Sequence, residues 1–382
     1  MVQLVVDTQT TGHHVEYVRH VVEWLSQQVD VVNHLLIAEE VADRLSLVDS
    51  ANLRLHLSPG IDNSAGSKAF SKEAHNIARL CKKFGVDRLV LLNVNPYQKA
   101  LLSKTFWNVD YTISGILFAP PHRIEAHEGD GISQRVKLGF KKYRKYLQLW
   151  AVTMNPSLQQ LFVLDDEDGA DQLNKALSCR KFFYLPDPIV TGESRAEDHV
   201  GTTNKNPILL LFGTITPRKN IERSIEAFYT ANVPGSTLMI YGSGNPAYVD
   251  DLRSLCERLS NSDDISVIIE NKFVSDEERD IAYQSATAVS LVYRHFYGSS
   301  GVLGHAARHQ KPVIGPNRGL MAYLISKYSL GVTTEPQVSS MAEKYEAVLN
   351  SPETKSTAQG ARDYLAAKTV EHFGRKLFER NK

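Results

Sequence analysis

Short apolar runs alternate with stretches of helical periodicity along most of the chain. In the first half, runs typical of buried strands lie at 4–6, 31–38, 53–57, 88–93, 113–118 and 182–185. Between them, apolar residues spaced by three and four predict helices that begin at His13 or span 39–47, 68–84, 97–107, 134–147 and 170–177. Alternation at this spacing predicts a parallel sheet with helices on both faces.

The same alternation resumes after a polar interval. Residues 191–206 are rich in Thr, Gly, Ser, Asn and charge, which is typical of a linker. Beyond the interval, strands are predicted at 207–213, 238–241, 265–269, 288–292 and 311–315. Helices are predicted after Asn220, after Ser275, and at 302–309, 341–349 and 358–378. We therefore predict two α/β domains, 1–190 and 207–360, with a C-terminal helix in 361–382.

Composition narrows the class of protein. The chain has 382 residues, with 43 Lys and Arg balancing 43 Asp and Glu, so its overall charge gives no case for binding nucleic acid. Its three cysteines, Cys81, Cys179 and Cys256, lie far apart and form no metal-binding spacing. No apolar run approaches the ~20 residues of a membrane span, and residues 1–6 do not form a signal peptide. The expected protein is soluble and intracellular.

The stretch 287–319 carries the first chemical signal. It reads as a strand, a polar loop (297–301), a helix and a second strand, with Ser300 placed to cap the helix. The free N–H groups of Gly301, Val302 and Leu303 would then face whatever lies over the loop. Unpaired donors and the helix dipole both favour an anion there. The sequence predicts a phosphate pocket, and an ordinary strand–helix turn with a serine cap is the alternative.

Two motifs carry a resemblance to a known family. S-S-G-V-L-x-x-A, followed six residues later by P-V-I, resembles the donor-binding segment of GT-B glycosyltransferases of the retaining family-four type. The two glutamates of that segment correspond to Tyr297 and His305, so both acids are missing here. F-G-x-I-x-x-R-K-N is similar to the family's diphosphate loop, in which Lys219 matches the lysine and Thr214 replaces the arginine. We infer that Arg218 supplies the missing charge.

The resemblance implies an α/β fold of the GT-B type, with two doubly wound Rossmann-like domains facing one another across a cleft. The first domain would bind the acceptor and the second the donor, and the C-terminal helix would return to the first domain. The catalytic candidates are Arg218, Lys219 and His122. The donor-binding candidates are Gly12, Gly213, Gly242, Lys272, Phe273, Tyr297, Ser299, Ser300, Gly301, Val302, Leu303 and His305.

Several of these assignments have a plain structural alternative. Gly12 follows the first strand but belongs to no G-x-G-x-x-G, and a simple turn glycine explains it equally well. His122 follows Pro120 and Pro121 in a loop that either reaches the transferred sugar or is merely exposed. The acidic run 165–168 contains a D-x-D, but its place before a helix is typical of a cap region.

The predicted helix 134–147 is amphipathic and strongly basic. Its apolar stripe is Val136, Phe140, Tyr143 and Leu147, and lysines and arginines cover the remaining surface. Such a helix suits a membrane surface or an anionic, lipid-linked acceptor. A charged face that is simply solvated is the alternative.

The predicted function is transfer of a sugar from a nucleoside diphosphate sugar, with UDP-glucose as the first candidate, to a carbohydrate or lipid-linked acceptor in polysaccharide or glycoconjugate synthesis. The resemblance implies retention of configuration, no metal and no other cofactor. Alternatives are a degenerate GT-B subunit that supports a partner, and a GT-B epimerase. If His305 contacts the ribose, donor affinity should weaken as pH falls from about 7.5 to about 5.5.

Overall fold

The protein is described by a computed structural model, which covers residues 1–10, 14–28, 31–50, 52–62, 66–118, 120–126, 130–189, 206–260, 264–351 and 354–379. The chain forms two compact units. The first contains Met1–His122, Phe140–Pro188 and Thr369–Lys382. The second contains Arg123–Gly139 and Ile189–Lys368. The segment Arg123–Gly139 therefore groups with the second unit, although it falls inside the predicted first domain. The predicted linker lies outside the described residues, except for Asn206.

The first unit is built on a parallel sheet of seven strands. These are β1 Val2–Asp7, β2 Val32–Ala38, β3 Leu53–Ser58, β4 Arg88–Leu91, β5 Thr112–Leu117, β6 Leu158–Leu164 and β7 Phe182–Leu185. Their spatial order is β3-β2-β1-β4-β5-β6-β7, and every neighbouring pair is parallel. The order reverses between β1 and β4, which makes this a doubly wound sheet of the Rossmann type.

Helices cover both faces of this sheet. They are α1 His14–Ser26, α2 Glu39–Arg44, α3 Ser67–Phe84, α4 Gln98–Leu101, α5 Ile132–Thr153, which begins in the second unit's segment, α6 Glu167–Ala176 and the C-terminal α14 Val370–Phe378. Two apolar cores result, one on each face, because strands buried on both sides carry apolar residues in both directions.

The second unit repeats the same architecture with six parallel strands. They are β8 Ile208–Phe212, β9 Thr237–Gly242, β10 Ser266–Asn271, β11 Ala288–Ser290, β12 Val313–Pro316 and β13 Gly331–Thr334. Their order is β10-β9-β8-β11-β12-β13, which again reverses beside the first strand of the unit. The helices are α7 Ile221–Ala231, α8 Pro246–Leu259, α9 Asp276–Ser285, α10 Gly301–Arg308, α11 Gly319–Lys327, α12 Val338–Asn350 and α13 Thr354–Ala366. Two Rossmann-like domains are confirmed.

Two helix predictions were wrong. Instead of one helix over 97–107, the chain forms a 3-10 turn and the short α4, because the Ser103 hydroxyl donates to the Ala100 carbonyl and accepts from the Thr105 amide. The predicted helix 358–378 is two helices, α13 and α14. Thr369 separates them, since its side chain accepts a hydrogen bond from the His372 amide and caps α14.

Arg88 connects α14 to the sheet of the first unit through hydrogen bonds. Its side chain is 3% exposed and donates hydrogen bonds to the carbonyl oxygens of Leu377 (2.8 Å) and Phe378 (2.7 Å). The last carbonyls of a helix have no intrahelical donor, so the guanidinium satisfies groups that would otherwise be buried unpaired. Arg88 also donates to Ser114 and Gln160 on neighbouring strands.

Replacing Arg88 should therefore destabilise the first unit. We expect Arg88→Met to lower the free energy of unfolding by about 3 kcal/mol, because buried carbonyls lose a charged donor. The measurement is urea denaturation followed by circular dichroism. Arg79→Met removes an exposed arginine whose hydrogen bond is to Asn76, and it should change stability by no more than about 0.5 kcal/mol. Equal effects of the two variants would contradict this role of Arg88.

Candidate active site

The reversal of strand order in the second unit brings two loops together. One loop follows β8 and leads into α7, and the other follows β11 and leads into α10. Ligands of doubly wound sheets bind outside the carboxyl ends of strands at this switch point, because the loops diverge there and leave a crevice. A backbone hydrogen bond joins the two loops, from the Arg294 amide to the Arg218 carbonyl (3.2 Å). The two sequence motifs therefore meet at one site.

Lys219 occupies the inner position of the first loop. Only 8% of the residue is exposed, and its ammonium donates to the carbonyl oxygen of Phe212 at the end of β8. The ammonium also lies 5.6 Å from the centroid of the Tyr293 ring, within cation–π range. Burial, and then repulsion by Arg218, lower the pKa of Lys219 to about 8. The side chain is thus a cation that has lost part of its hydration.

Arg218 stands beside it with an aromatic contact of its own. Its guanidinium carbon lies 4.8 Å from the centroid of the Phe296 ring. Within the described residues, neither Arg218 nor Lys219 forms an ion pair with a carboxylate, whereas Arg279, Arg318 and Lys272 of the same unit do. Two adjacent cations without an acid partner favour the binding of an anion.

The first turn of α10 supplies amide donors from the second loop. Ser300 is its N-cap residue, but its side chain does not cap the helix, so the predicted serine cap was wrong. The hydroxyl instead interacts with Tyr293 and opposes the effect of burial, which raises the pKa of that tyrosine to about 12. Gly301 and Val302, the first two helical residues, carry N–H groups that an α-helix leaves without an intrahelical acceptor. The free Leu303 amide predicted from the sequence was wrong, because this N–H donates to the Ser300 carbonyl (2.9 Å) in a tight first turn. Leu303 is buried, and Ser299 is partly buried in the loop.

Gly213 and Gly242 allow the loops to approach closely. Gly213 has φ +93°, and a Cβ at this position would lie 2.7 Å from the Lys219 ammonium. A Cβ at Gly242 would lie 2.2 Å from the carbonyl oxygen of Gly213. Both predicted glycines are therefore needed for the geometry of the β8 and β9 ends. Their contact with a donor stays a prediction.

Tyr297, which stands in place of the first glutamate, is a packing residue in this structure. It is 8% exposed and lies in a small apolar cluster with Ile124 and Leu138. Its hydroxyl is hydrogen bonded to the Glu125 carbonyl (3.4 Å) and to His295 (3.3 Å), and burial raises its pKa to about 12. Nearby, the buried Asp130 lies 3.4 Å from His295 and 3.8 Å from Arg294. The segment Arg123–Gly139 thus holds the loop after β11.

His305, in place of the second glutamate, is a residue of α10, and its ring packs against α9. Its ring centroid is 5.7 Å from that of Tyr283, and its Nδ1 is buried without a hydrogen-bond partner in the described parts of the chain. Burial lowers the pKa of His305 to about 4; Arg279, His309 and Arg308 act in the same direction, and Asp280 opposes them. The imidazole is therefore neutral between pH 7.5 and 5.5. The titration expected in that range was wrong, because burial outweighs the ordinary pKa.

Lys272 and Phe273 follow the edge strand β10. Lys272 pairs with Glu278 at 2.6 Å, and that carboxylate also closes a capping box with Ser275 at the start of α9. The helix predicted after Ser275 is thereby confirmed. Phe273 is 88% exposed, and the Lys272 amide donates to the Gly242 carbonyl (2.9 Å). The lysine side chain is engaged by its own loop, and contact of either residue with a donor stays a prediction.

His122, the remaining catalytic candidate, belongs to the first unit. Its Nε2 lies 2.7 Å from Asp166, and both side chains are buried. The other oxygen of Asp166 accepts from the Gly169 amide (3.0 Å), so the acidic run caps α6 as predicted. The loop carrying His122 is therefore not exposed, and Asp166 holds the imidazole in one orientation. Gly12 lies outside the described residues.

Sequence analysis missed a polar cluster at the switch point of the first unit. Asp7 and His14 are 2.7 Å apart and buried, the Thr8 and Tyr97 hydroxyls are 3.1 Å apart, and Asn93 donates to Gln9 at 2.6 Å. The sequence could have predicted this cluster, because polar residues directly follow the apolar runs of two strands. No group of three or more His, Cys, Asp or Glu side chains within the described part of the chain could hold a metal ion.

Comparison with known proteins gives a family match over the part of the chain that carries both motifs. Residues 194–363 match the family model of the glycosyl transferases group 1. Solved structures with the same fold include sucrose-phosphate synthase from Thermosynechococcus elongatus, with a TM-score of 0.67, 16% identity, and coverage of 98% of this chain and 96% of that one. The chain therefore has the GT-B fold, and its residues 194–363 resemble the glycosyl transferases group 1. Comparison with curated protein sequences gives no significant match.

Two further GT-B structures resemble this chain over almost its whole length. WaaG, a glycosyltransferase involved in lipopolysaccharide biosynthesis, has a TM-score of 0.59 and 15% identity, with coverage of 99% and 97%. Anabaena HepE in complex with UDP and glucose has a TM-score of 0.60 and 13% identity, with coverage of 99% and 98%. At these identities the likeness establishes the fold, and the ligands named belong to those proteins.

The lowered pKa of His305 predicts an acid-sensitive stability. In the unfolded chain the imidazole titrates near 6.5, whereas in the folded chain it stays neutral down to about 4, so stability is present above 6.5 and is lost as pH falls toward 4. Between pH 7 and 5, His305 should account for about 2 kcal/mol of destabilisation. His305→Gln should reduce the drop in thermal midpoint, whereas His372→Gln on the exposed face of α14 should not. Identical pH profiles of the wild type and His305→Gln would contradict the buried, neutral state.

Proposed function

We propose that this GT-B protein transfers a sugar from a nucleoside diphosphate sugar to a carbohydrate or lipid-linked acceptor. UDP-glucose is the first donor to test, because HepE has been captured with UDP-glucose and the chains share a fold. Transfer would retain the anomeric configuration, as the resemblance to family four implies. The observation that carries the proposal is that Arg218 and Lys219, at the switch point of the second unit, have no carboxylate partner among the described residues.

These residues would act on the leaving group. As the bond between the anomeric carbon and the diphosphate breaks, negative charge accumulates on the departing phosphate oxygen, and only interactions that strengthen with this charge accelerate the step. The Lys219 ammonium and the Arg218 guanidinium would pair with the diphosphate. The amides of Gly301 and Val302 at the start of α10 would donate hydrogen bonds to it. Burial strengthens the contact of Lys219 in particular, because less water screens it.

A degenerate subunit that supports a partner is the second candidate. It is favoured by the two missing glutamates, because Tyr297 packs in an apolar cluster and the His305 ring packs against α9. Such a subunit would have no need of a buried lysine without an acid partner, since burial of a cation costs stability.

Calorimetric titration with UDP, GDP, ADP and CDP distinguishes a transferase from a supporting subunit. Binding of one nucleotide supports the transferase, and indifference to all four supports the subunit.

The depressed pKa of Lys219 gives the proposal a pH signature. Below about 8 the ammonium is protonated and binds a diphosphate, whereas above about 8 binding requires uptake of a proton. The affinity for the nucleotide diphosphate should therefore fall by up to about tenfold per pH unit above 8. Lys219→Arg remains charged and should flatten this dependence. Lys219→Met should bind weakly at every pH, while Lys344→Met, which removes a partly exposed lysine, should behave as wild type.

If the affinity of the wild type does not change between pH 7 and 9.5 while Lys219→Met still weakens binding, Lys219 contributes without titrating. If Lys219→Met binds the nucleotide as tightly as wild type, the lysine does not contact the diphosphate.

Turnover should not require a divalent cation, because side chains and amides would meet the charge of the leaving phosphate. We expect transfer to persist in EDTA at no less than about half its rate, which corresponds to an increase of under ~0.5 kcal/mol in barrier height. Complete loss that manganese or magnesium restores would show that the leaving group needs a metal.

A further inference from the structure

The outer face of α5 is apolar and exposed over most of its length. Phe140, Tyr143, Leu147, Trp150 and, one residue beyond the helix, Met154 are each 48–68% exposed. Their spacing of three and four places them within about 80° of the helix circumference. Ile132 (83% exposed) and Val136 (65% exposed) continue the spacing toward the start of the helix. We call these seven residues the α5 stripe.

The clustering distinguishes this surface from ordinary exposed side chains. Among the described residues, sixteen large hydrophobic side chains are exposed, and seven of them form the α5 stripe. Single exposed apolar residues are common on soluble proteins, but a contiguous row marks a surface that something covers. The helix itself is held from the other side, because Leu149 and Val152 lie in the core of the first unit. The stripe is therefore presented on an anchored helix.

The charge of α5 indicates what covers the stripe. Between Gly131 and Leu164 the sequence contains six Lys and Arg residues and no Asp or Glu, although the chain as a whole is neutral. Lys137, Lys141 and Arg144 are exposed and lie along one edge of the stripe. The positive charges crowd one another: burial first, and then Lys141 and Arg144, lower the pKa of Lys145.

We propose that the α5 stripe and its basic edge dock this protein on an anionic lipid bilayer. A helix lying in the interface buries its apolar residues among the acyl chains, while Lys and Arg pair with anionic headgroups. Trp150, Tyr143 and Phe140 are side chains that favour this boundary. No helix within the described residues is long and apolar enough to cross a bilayer, so the contact is peripheral.

A second copy of the chain fits this surface less well. A symmetric contact through the same face would bring the basic edges of two copies together, and like charges at an interface cost binding free energy. An acidic membrane surface instead satisfies the apolar and the charged parts at once. The inference goes beyond the proposed transfer reaction, because docking needs neither donor nor acceptor.

Vesicle flotation of the full chain, without nucleotide, tests the proposal. We expect binding to vesicles of phosphatidylcholine with about 30% phosphatidylglycerol to be at least about tenfold tighter than to pure phosphatidylcholine. Raising NaCl from about 0.1 M to about 0.5 M should weaken it, because salt screens the headgroup attraction. Equal binding to both vesicles, or none to either, would overturn the proposal.

Two pairs of variants distinguish vesicle binding through the α5 stripe from non-specific hydrophobic adsorption. Phe140→Ser with Trp150→Ser should weaken vesicle binding by about tenfold or more. Val48→Ser with Trp107→Ser removes two exposed apolar residues elsewhere in the first unit and should leave binding unchanged. An equal loss in both pairs would contradict a docking role for α5. Unchanged thermal midpoints confirm that each pair folds.

A second pair tests the charge. Lys137→Gln with Arg144→Gln should weaken binding by about fivefold for each charge removed. Lys68→Gln with Lys72→Gln removes two exposed lysines from α3 and should have little effect. Light scattering completes the test. The proposal would be overturned if the wild type did not bind vesicles but formed a dimer, and if Phe140→Ser with Trp150→Ser dissociated that dimer. The stripe would then be a contact with a second copy of the chain.

Discussion

The candidate active site depends on a buried ammonium that forms no ion pair with a carboxylate in the described part of the chain. Lys219 gives up hydration to lie at the carboxyl end of β8, where the Phe212 carbonyl and the face of Tyr293 replace only part of the lost water. A carboxylate would stabilise the cation and would also compete with any anion from outside. The loop instead uses neutral acceptors and aromatic rings, which leave the positive charge available. The cost appears as the lowered pKa of Lys219.

Strand order determines where that charge can lie. In both units the second half of the sheet is wound in the direction opposite to the first half, so the loops after the two central strands diverge. In the second unit those loops carry the basic pair and the first turn of α10. In the first unit they carry the pairs Asp7–His14 and Asn93–Gln9. One topology thus yields a site with two adjacent cations and a site of hydrogen-bonded polar pairs, because the loop residues differ.

The fold was predictable to the extent that apolar runs marked its strands. β7 was predicted to the residue and β8 to within one, since Pro and Gly bound these runs. No strand was predicted at β6, where Gln159 and Gln160 interrupt the apolar run, or at β13, which reads G-V-T-T. The break between α13 and α14 was missed because the whole segment reads as helix. The Thr369 cap that separates them became evident only with the backbone in place.

The roles of some site residues could not be predicted from sequence, because those roles depend on burial. A motif places Lys219 in a loop, but it cannot say that a histidine four residues into a helix is shielded enough to lower its pKa to about 4. The serine before α10 is a good cap by sequence, yet a buried tyrosine competes for its hydroxyl. Local patterns record which interactions a residue can make. Tertiary neighbours decide which of them it does make.

The periodicity of α5 likewise does not show which side of the helix is buried. An amphipathic helix is normally oriented with its apolar stripe toward the core, and sequence gives no sign of a second apolar face. Here Leu138, Leu149 and Val152 bury one side, while the α5 stripe occupies another and lysines and arginines separate the two. A helix that is apolar on two sides needs two apolar neighbours. The core of the first unit is one of them, and the absence of any acidic residue along the helix favours an anionic surface as the other.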